Sequence, residues 1–179
     1  MAKHTEMRLS GSGGQGIILA GIILAEAAIN EGNNAIQSQS YGPEARGGAS
    51  KAEVIISNED IYFPKVQVPN YLLALTQVAA DKYLDGIGED GVIIVDSAIK
   101  LPENVKAKKV IQIPILKTAN EVIGKSIVAN IVAVGAITEI TGVVSREAVE
   151  NAVLSRVPRG TEELNKKALE EGYKLALNI

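Results

Sequence analysis

The chain has 179 residues, 46% of them hydrophobic, which suits one α/β-sized domain with a sizeable core and excludes a disordered tail. With 18 Lys and Arg against 21 Asp and Glu, the formal charge is −3, which argues against nucleic acid, because binding there rests on phosphate neutralisation. Cysteine is absent, so disulfides, a cysteine-ligated zinc or iron–sulfur centre and a thiol nucleophile are excluded; tryptophan is absent and aromatics total 3%, so base-stacking platforms are not expected.

The chain starts without a basic segment followed by an apolar core, so no signal peptide is expected. The single histidine, His4, lies next to the terminus, a poor place for a catalytic base. Met7–Ser10 reads as a short strand. Gly11-Ser12-Gly13-Gly14-Gln15-Gly16 follows as a turn, and an apolar helix runs from Ile17 to about Asn30, stopped by Gly32. That helix is apolar nearly all round, so both sides should be covered by protein. The runs Ile17–Ile29 and Ile127–Ile140 fall short of the ~20 apolar residues a bilayer needs, so no membrane is expected. With no address signal and no cysteine, a cytoplasmic protein is expected.

Residues 35–40 form a weak polar strand, and 41–50 (YGPEARGGAS) a loop rich in glycine and proline. Lys51–Ser57 is the next strand. With only a loop between them, the two strands should run antiparallel. Tyr71–Leu75 reads as a buried strand, Gln77–Tyr83 as a short helix, Val92–Val95 as an interior strand and Val110–Ile113 as a strand closed by Pro114. Helices are expected over 126–141, 145–154 and 161–177. The expected architecture is three-layer α/β/α, with a mostly parallel mixed sheet, a glycine loop after the first strand and a helical C-terminal third.

The first glycine loop carries the strongest local signal. Glycines admit positive φ, so successive N–H groups can converge, and the helix N-terminus adds about half a positive charge. A phosphate or carboxylate would suit it. The pattern satisfies G-x-G-x-x-G, yet the acid expected about 20 residues on, which would hold a ribose diol, is missing from Ile36–Ser40. The alternative is a turn needed only for tight packing. In the second loop, Arg46 sits between a proline turn and Gly47-Gly48, where a guanidinium can fork onto anionic oxygens; the alternative is a solvated arginine paired with Glu44. This loop should emerge at the same strand ends as the first. Asp96 is read as the cap of a turn and Asn130 as a buried, satisfied side chain. No acid cluster has metal-ligand spacing, and no catalytic residue can be named.

The stretches GSGGQG, QSYGPEARGGAS, GVIIVDS (91–97) and NIVAVG (130–135) resemble the gamma subunit of 2-oxoacid:ferredoxin oxidoreductases, with the 2-oxoglutarate branch nearest. The resemblance spans residues 1–179 as one gamma domain. It implies a role in an enzyme that decarboxylates a 2-oxoacid oxidatively, passes electrons to ferredoxin and gives the acyl group to coenzyme A. Thiamine diphosphate, magnesium and iron–sulfur clusters would lie on alpha, beta and delta partner subunits, with none of these cofactors on this chain. The isolated chain would be inactive. Coenzyme A would be a shared ligand: Gly11, Ser12, Gly13, Gly14, Gln15 and Gly16 as donors to phosphate, Arg46 as counter-charge, and Gly47 and Gly48 permitting close approach. The rival readings are a docking subunit without ligand and a stand-alone Rossmann-type enzyme.

Overall fold

The computed structural model describes residues 4–40 and 48–179. Six strands form one sheet: β1 (His4–Ser12), β2 (Asn34–Gln39), β3 (Ala49–Ser57), β4 (Tyr71–Ala74), β5 (Val92–Asp96) and β6 (Lys109–Ile113). Their order is β2-β3-β1-β4-β5-β6. β3 is antiparallel to both of its neighbours, while β1–β4, β4–β5 and β5–β6 are parallel pairs. The sheet is therefore mixed, as expected. The strand β3 turns back after β2 and slots between β2 and β1, so the unit β1–α1–β2 is a crossover with a reversed strand inserted into it.

α1 (Ile17–Asn30) is the crossover helix. Its apolar surface packs on the sheet on one side and on α4 (Ala129–Thr141) and α5 (Arg146–Arg156) on the other. Gly21 brings it close to β3, since a Cβ there would stand 3.0 Å from the methyl of Ala52. The helix stops where expected. Gly32 takes φ +82°, and the N–H groups of Gly32 and Asn33 donate to the carbonyls of Ile29 and Ala28.

α4, almost wholly buried, crosses α6 (Glu162–Leu177) through Gly135 and Gly172. A Cβ on either glycine would enter the other helix's backbone. The long aliphatic segments are thus consumed mainly in the chain's own core. Ser145 caps α5 by accepting the Ala148 N–H at 3.1 Å.

The opposite sheet face is covered by α2 (Gln77–Tyr83), with Ala79, Ala80 and Tyr83 on Leu72, Ala74, Ile93 and Val95. A second helical stretch escapes the sequence reading. α3 (Ile115–Lys117) continues as a π-helical segment over Thr118–Ile123, ending at Gly124 with φ +80°. The helix expected from residue 126 opens instead as a 3₁₀ turn over Ser126–Val128 before α4. Among the described residues, no helix is long and apolar enough to cross a membrane.

Candidate functional site

The strand order supplies the place to look. From β1 the chain moves by way of α1 to one side of the sheet, while β4, β5 and β6 succeed one another on the other side. α1 and α2 leave the ends of β1 and β4 on opposite faces. A crevice at the C-terminal ends of such a strand pair is where α/β sheets collect ligands.

β1 does not end at Ser10, as expected, but runs through Ser12. Gly11 pairs with Ser50 and Ser12 with Ala49, because β3 begins two residues earlier than its apolar run indicates and supplies a partner for each. Gly11 is thus ladder rather than loop. A side chain there would meet the Gln15 amide and Ile17, so Gly11 makes room for both. Gln15 turns back into the loop: its Oε1 accepts the Ser12 N–H at 2.7 Å, and its own N–H donates to the Ser12 carbonyl at 3.3 Å. Ser12 N–H is therefore engaged within the loop, and Gln15 acts as its strut.

Gly13, Gly14 and Gly16 complete the turn. Gly14 and Gly16 take φ +86° and +72°, which L side chains rarely adopt. Gly16 is the N-cap of α1 and no side chain caps it. The first intrahelical bond runs from the Ala20 N–H to the Gly16 carbonyl at 3.0 Å, which leaves the opening N–H groups of the helix without helical partners. Asn130, at the start of α4, braces the turn from the side by donating Nδ2–H to the Gly16 carbonyl at 3.3 Å. The buried Asn130 read from the sequence thus ties two helices together across the chain.

Arg46 and Gly47, together with 41–45 of the second loop, lie outside the described residues. Gly48 lies inside them, immediately before Ala49, which pairs with Ser12. The end of the second loop therefore reaches the sheet beside the first glycine turn.

A cluster that the sequence reading did not single out lies below, on the α2 face. Glu53 Oε1 accepts from Arg8 Nε at 2.8 Å and from Lys51 Nζ at 3.1 Å. Both cations also lie within about 6 Å of the Tyr83 ring, as does Lys82. The signal was the spacing of two between Lys51 and Glu53, which puts both on one strand face, opposite Arg8 in the neighbouring register. Asp96 is the staple expected of it: its oxygens accept the N–H groups of Ala98 at 2.9 Å and Leu116 at 2.8 Å. Among the described residues, no group of His, Cys, Asp and Glu could hold a metal ion.

On the outer side of α1, the glycine turn borders a cleft of about 270 Å³, lined by Leu19, Val128, Ile131, Val157 and Leu164, with Asn130, Thr161 and Asn165 among them.

The family profile described as pyruvate ferredoxin/flavodoxin oxidoreductase matches residues 6–175. The chain belongs to that family. Its sequence is 53% identical over 180 residues to the 2-oxoglutarate synthase subunit KorC of Methanocaldococcus jannaschii, covering 97% of this chain and 95% of that protein. Among solved structures it is similar to the keto/oxoacid ferredoxin oxidoreductase gamma subunit of Geobacter sulfurreducens. That match has TM-score 0.88 and 52% identity over 99% of this chain and 98% of the other. A 2-oxoglutarate:ferredoxin oxidoreductase from Magnetococcus marinus shares the fold at TM-score 0.86 and 23% identity, with this chain spanning 32% of that longer polypeptide. Within the family the chain is a gamma-type subunit, part of a multisubunit oxidoreductase.

Proposed function

We propose that this gamma-type subunit, acting as one domain over residues 1–179, serves an assembly that oxidises 2-oxoglutarate, and that its glycine loop receives a phosphate of coenzyme A. The carrying observation is the glycine turn at the strand-order switch point, feeding an uncapped helix N-terminus. The curated relative is named for 2-oxoglutarate, and the Magnetococcus marinus structure holds 2-oxoglutarate, coenzyme A and succinyl-CoA.

In this reading the N–H groups of Gly13, Gly14 and Gly16 and the first turn of α1 orient the anion. Arg46 is its counter-charge, and Gly47 and Gly48 permit close approach. Gln15 keeps the turn in shape through Ser12. Coenzyme A supplies the thiol that takes the acyl group. With no cysteine on this chain, iron–sulfur clusters ligated by thiolates belong to partners. Thiamine diphosphate and magnesium are assigned to partners too, and the electrons leave to ferredoxin. Alpha, beta and delta subunits are the partners proposed, in the cytoplasm, and the isolated chain has no turnover of its own.

A second reading is a docking subunit without ligand. The Ser12–Gln15 bond favours it, because it satisfies part of the loop internally. The test is steady-state kinetics of the assembled enzyme with Gly14→Ala or Arg46→Ala. Nothing lies within 4 Å of a Cβ at Gly14, so the first change strains the backbone at φ +86° without a clash. We expect KM for coenzyme A to rise about tenfold, the equivalent of one lost charge-assisted hydrogen bond, with KM for the 2-oxoacid unchanged. Correct assembly with an unchanged KM for coenzyme A in both variants would leave the docking reading.

A further inference from the structure

The cleft beside the glycine turn has a polarity that the anion site alone does not explain. Asn130 and Asn165 line it while only 4% and 5% exposed. Each has turned its amide nitrogen to a protein acceptor. Asn130 Nδ2 faces the Gly16 carbonyl at 3.3 Å, and Asn165 Nδ2 donates to the Thr161 carbonyl at 2.9 Å and to Thr161 Oγ1 at 3.1 Å. A carbonyl partner fixes which end of each amide is NH₂, so each Oδ1 points elsewhere. Among the described residues neither Oδ1 accepts a hydrogen bond, and neither is sealed from solvent. Since both residues are otherwise buried and line the cleft, it is the cleft through which these oxygens are reached.

The walls offer aliphatic surface and two hydrogen-bond acceptors. Thr161 is occupied as well, its hydroxyl donating to the Pro158 carbonyl at 2.7 Å. A complementary ligand part is mainly aliphatic and carries two N–H donors. At about 270 Å³ the cleft is small for a whole drug-sized ligand and holds a portion of one. Gly14 and Gly16 belong to both the cleft and the anion-facing turn, so that portion is joined to an anionic group.

We propose that this cleft holds the pantetheine arm of coenzyme A, with its two amide N–H groups on Asn130 Oδ1 and Asn165 Oδ1. The assignment rests on the coenzyme A reading above. Adenine is the poorer fit: its one amino group can serve only one of the two amide oxygens, whereas the arm's two N–H groups serve both. The arm's own carbonyls can face water at the open mouth.

The experiment uses the assembled enzyme and two inhibitors competitive with coenzyme A: desulfo-coenzyme A, which keeps the arm, and the adenosine bisphosphate half, which lacks it. Val157→Trp fills the cleft, and Asn165→Leu removes one acceptor at similar volume. We expect the Ki of desulfo-coenzyme A to rise about tenfold in either variant while that of the adenosine bisphosphate stays put. A parallel rise for both would place adenine in the cleft and overturn the assignment. No change for either, with Gly14→Ala still raising KM for coenzyme A, would overturn the cleft alone. If Gly14→Ala and Arg46→Ala also leave that KM unchanged, the underlying reading falls with it. In the wild-type complex, coenzyme A with a photoreactive group on the arm should label peptides 127–131 or 157–165. Labelling confined to other peptides would again overturn the assignment.

Discussion

The two faces of the sheet are built on different chemistry. The face under α1, α4, α5 and α6 is dry and aliphatic, and its helices approach so closely that Gly135 and Gly172 must lack side chains. The face under α2 carries Arg8, Lys51 and Glu53 around the Tyr83 ring. The first face is fixed by volume and the second by charge. The glycine turn sits at the strand ends where these faces meet.

Three substitutions sharpen the contrast. Gly172→Ala drives a methyl into the Val132 carbonyl region of α4, where no flexible side chain can yield. Overpacking of this kind should destabilise the chain by about 3 kcal/mol, read as a fall in the denaturant midpoint without change in slope. A loss under 1 kcal/mol would mean that the aliphatic wall is softer than its packing implies.

Glu53→Ala leaves Arg8 and Lys51 on neighbouring strands without their shared carboxylate. Since all three side chains are mostly but not wholly buried, the loss should be about 2 kcal/mol, between a surface pair and a sealed one. Glu53→Gln, which keeps the shape and removes the charge, should lose nearly as much, and a glutamine variant as stable as the wild type would argue for packing rather than charge.

Tyr173 is the polar flaw in the aliphatic layer. Its hydroxyl is buried without a hydrogen-bond partner, and burial pushes its pKa up to about 12, partly offset by Arg146, which stacks 4.5 Å from the ring centroid. A raised pKa on a group that is neutral when protonated means that its stabilising effect is complete below the unfolded value of 10 and is lost as pH climbs toward 12. Because its buried hydroxyl has no hydrogen-bond partner, Tyr173→Phe should be about 1 kcal/mol more stable at neutral pH, and, with no phenol to ionise, its alkaline loss between those limits should be shallower. Identical alkaline limbs for the two proteins would show that the hydroxyl finds solvent.

Much of this was legible in the residues. The 77–83 helix, the stop at Gly32, the Ser145 cap and the antiparallel β2–β3 return follow from local periodicity and backbone chemistry. Strand ends were not. Gly11 and Ser12 join the ladder because β3 offers them partners, and pairing with a distant segment leaves no mark on local composition. The π-helical stretch at 118–123 was hidden for the same reason, as its geometry is set by what it packs against. Within the site, the glycines announced the turn. Nothing in the sequence announced that Gln15 would brace it, that Asn130 would hold it from another helix, or that Asn165 would share its cleft.

The sequence by itself determined the composition of this protein's chemistry: aliphatic layers, a glycine turn able to face an anion, and no thiolate to bind a metal cluster. Those properties belong to residue types and short spacings, so they survive in one dimension. Only the tertiary structure decided which donors the loop consumes internally, which carbonyl oxygens open into the neighbouring cleft, and where three charged side chains gather under one aromatic ring. Such choices depend on contacts between residues far apart in the chain, and packing settles them all at once.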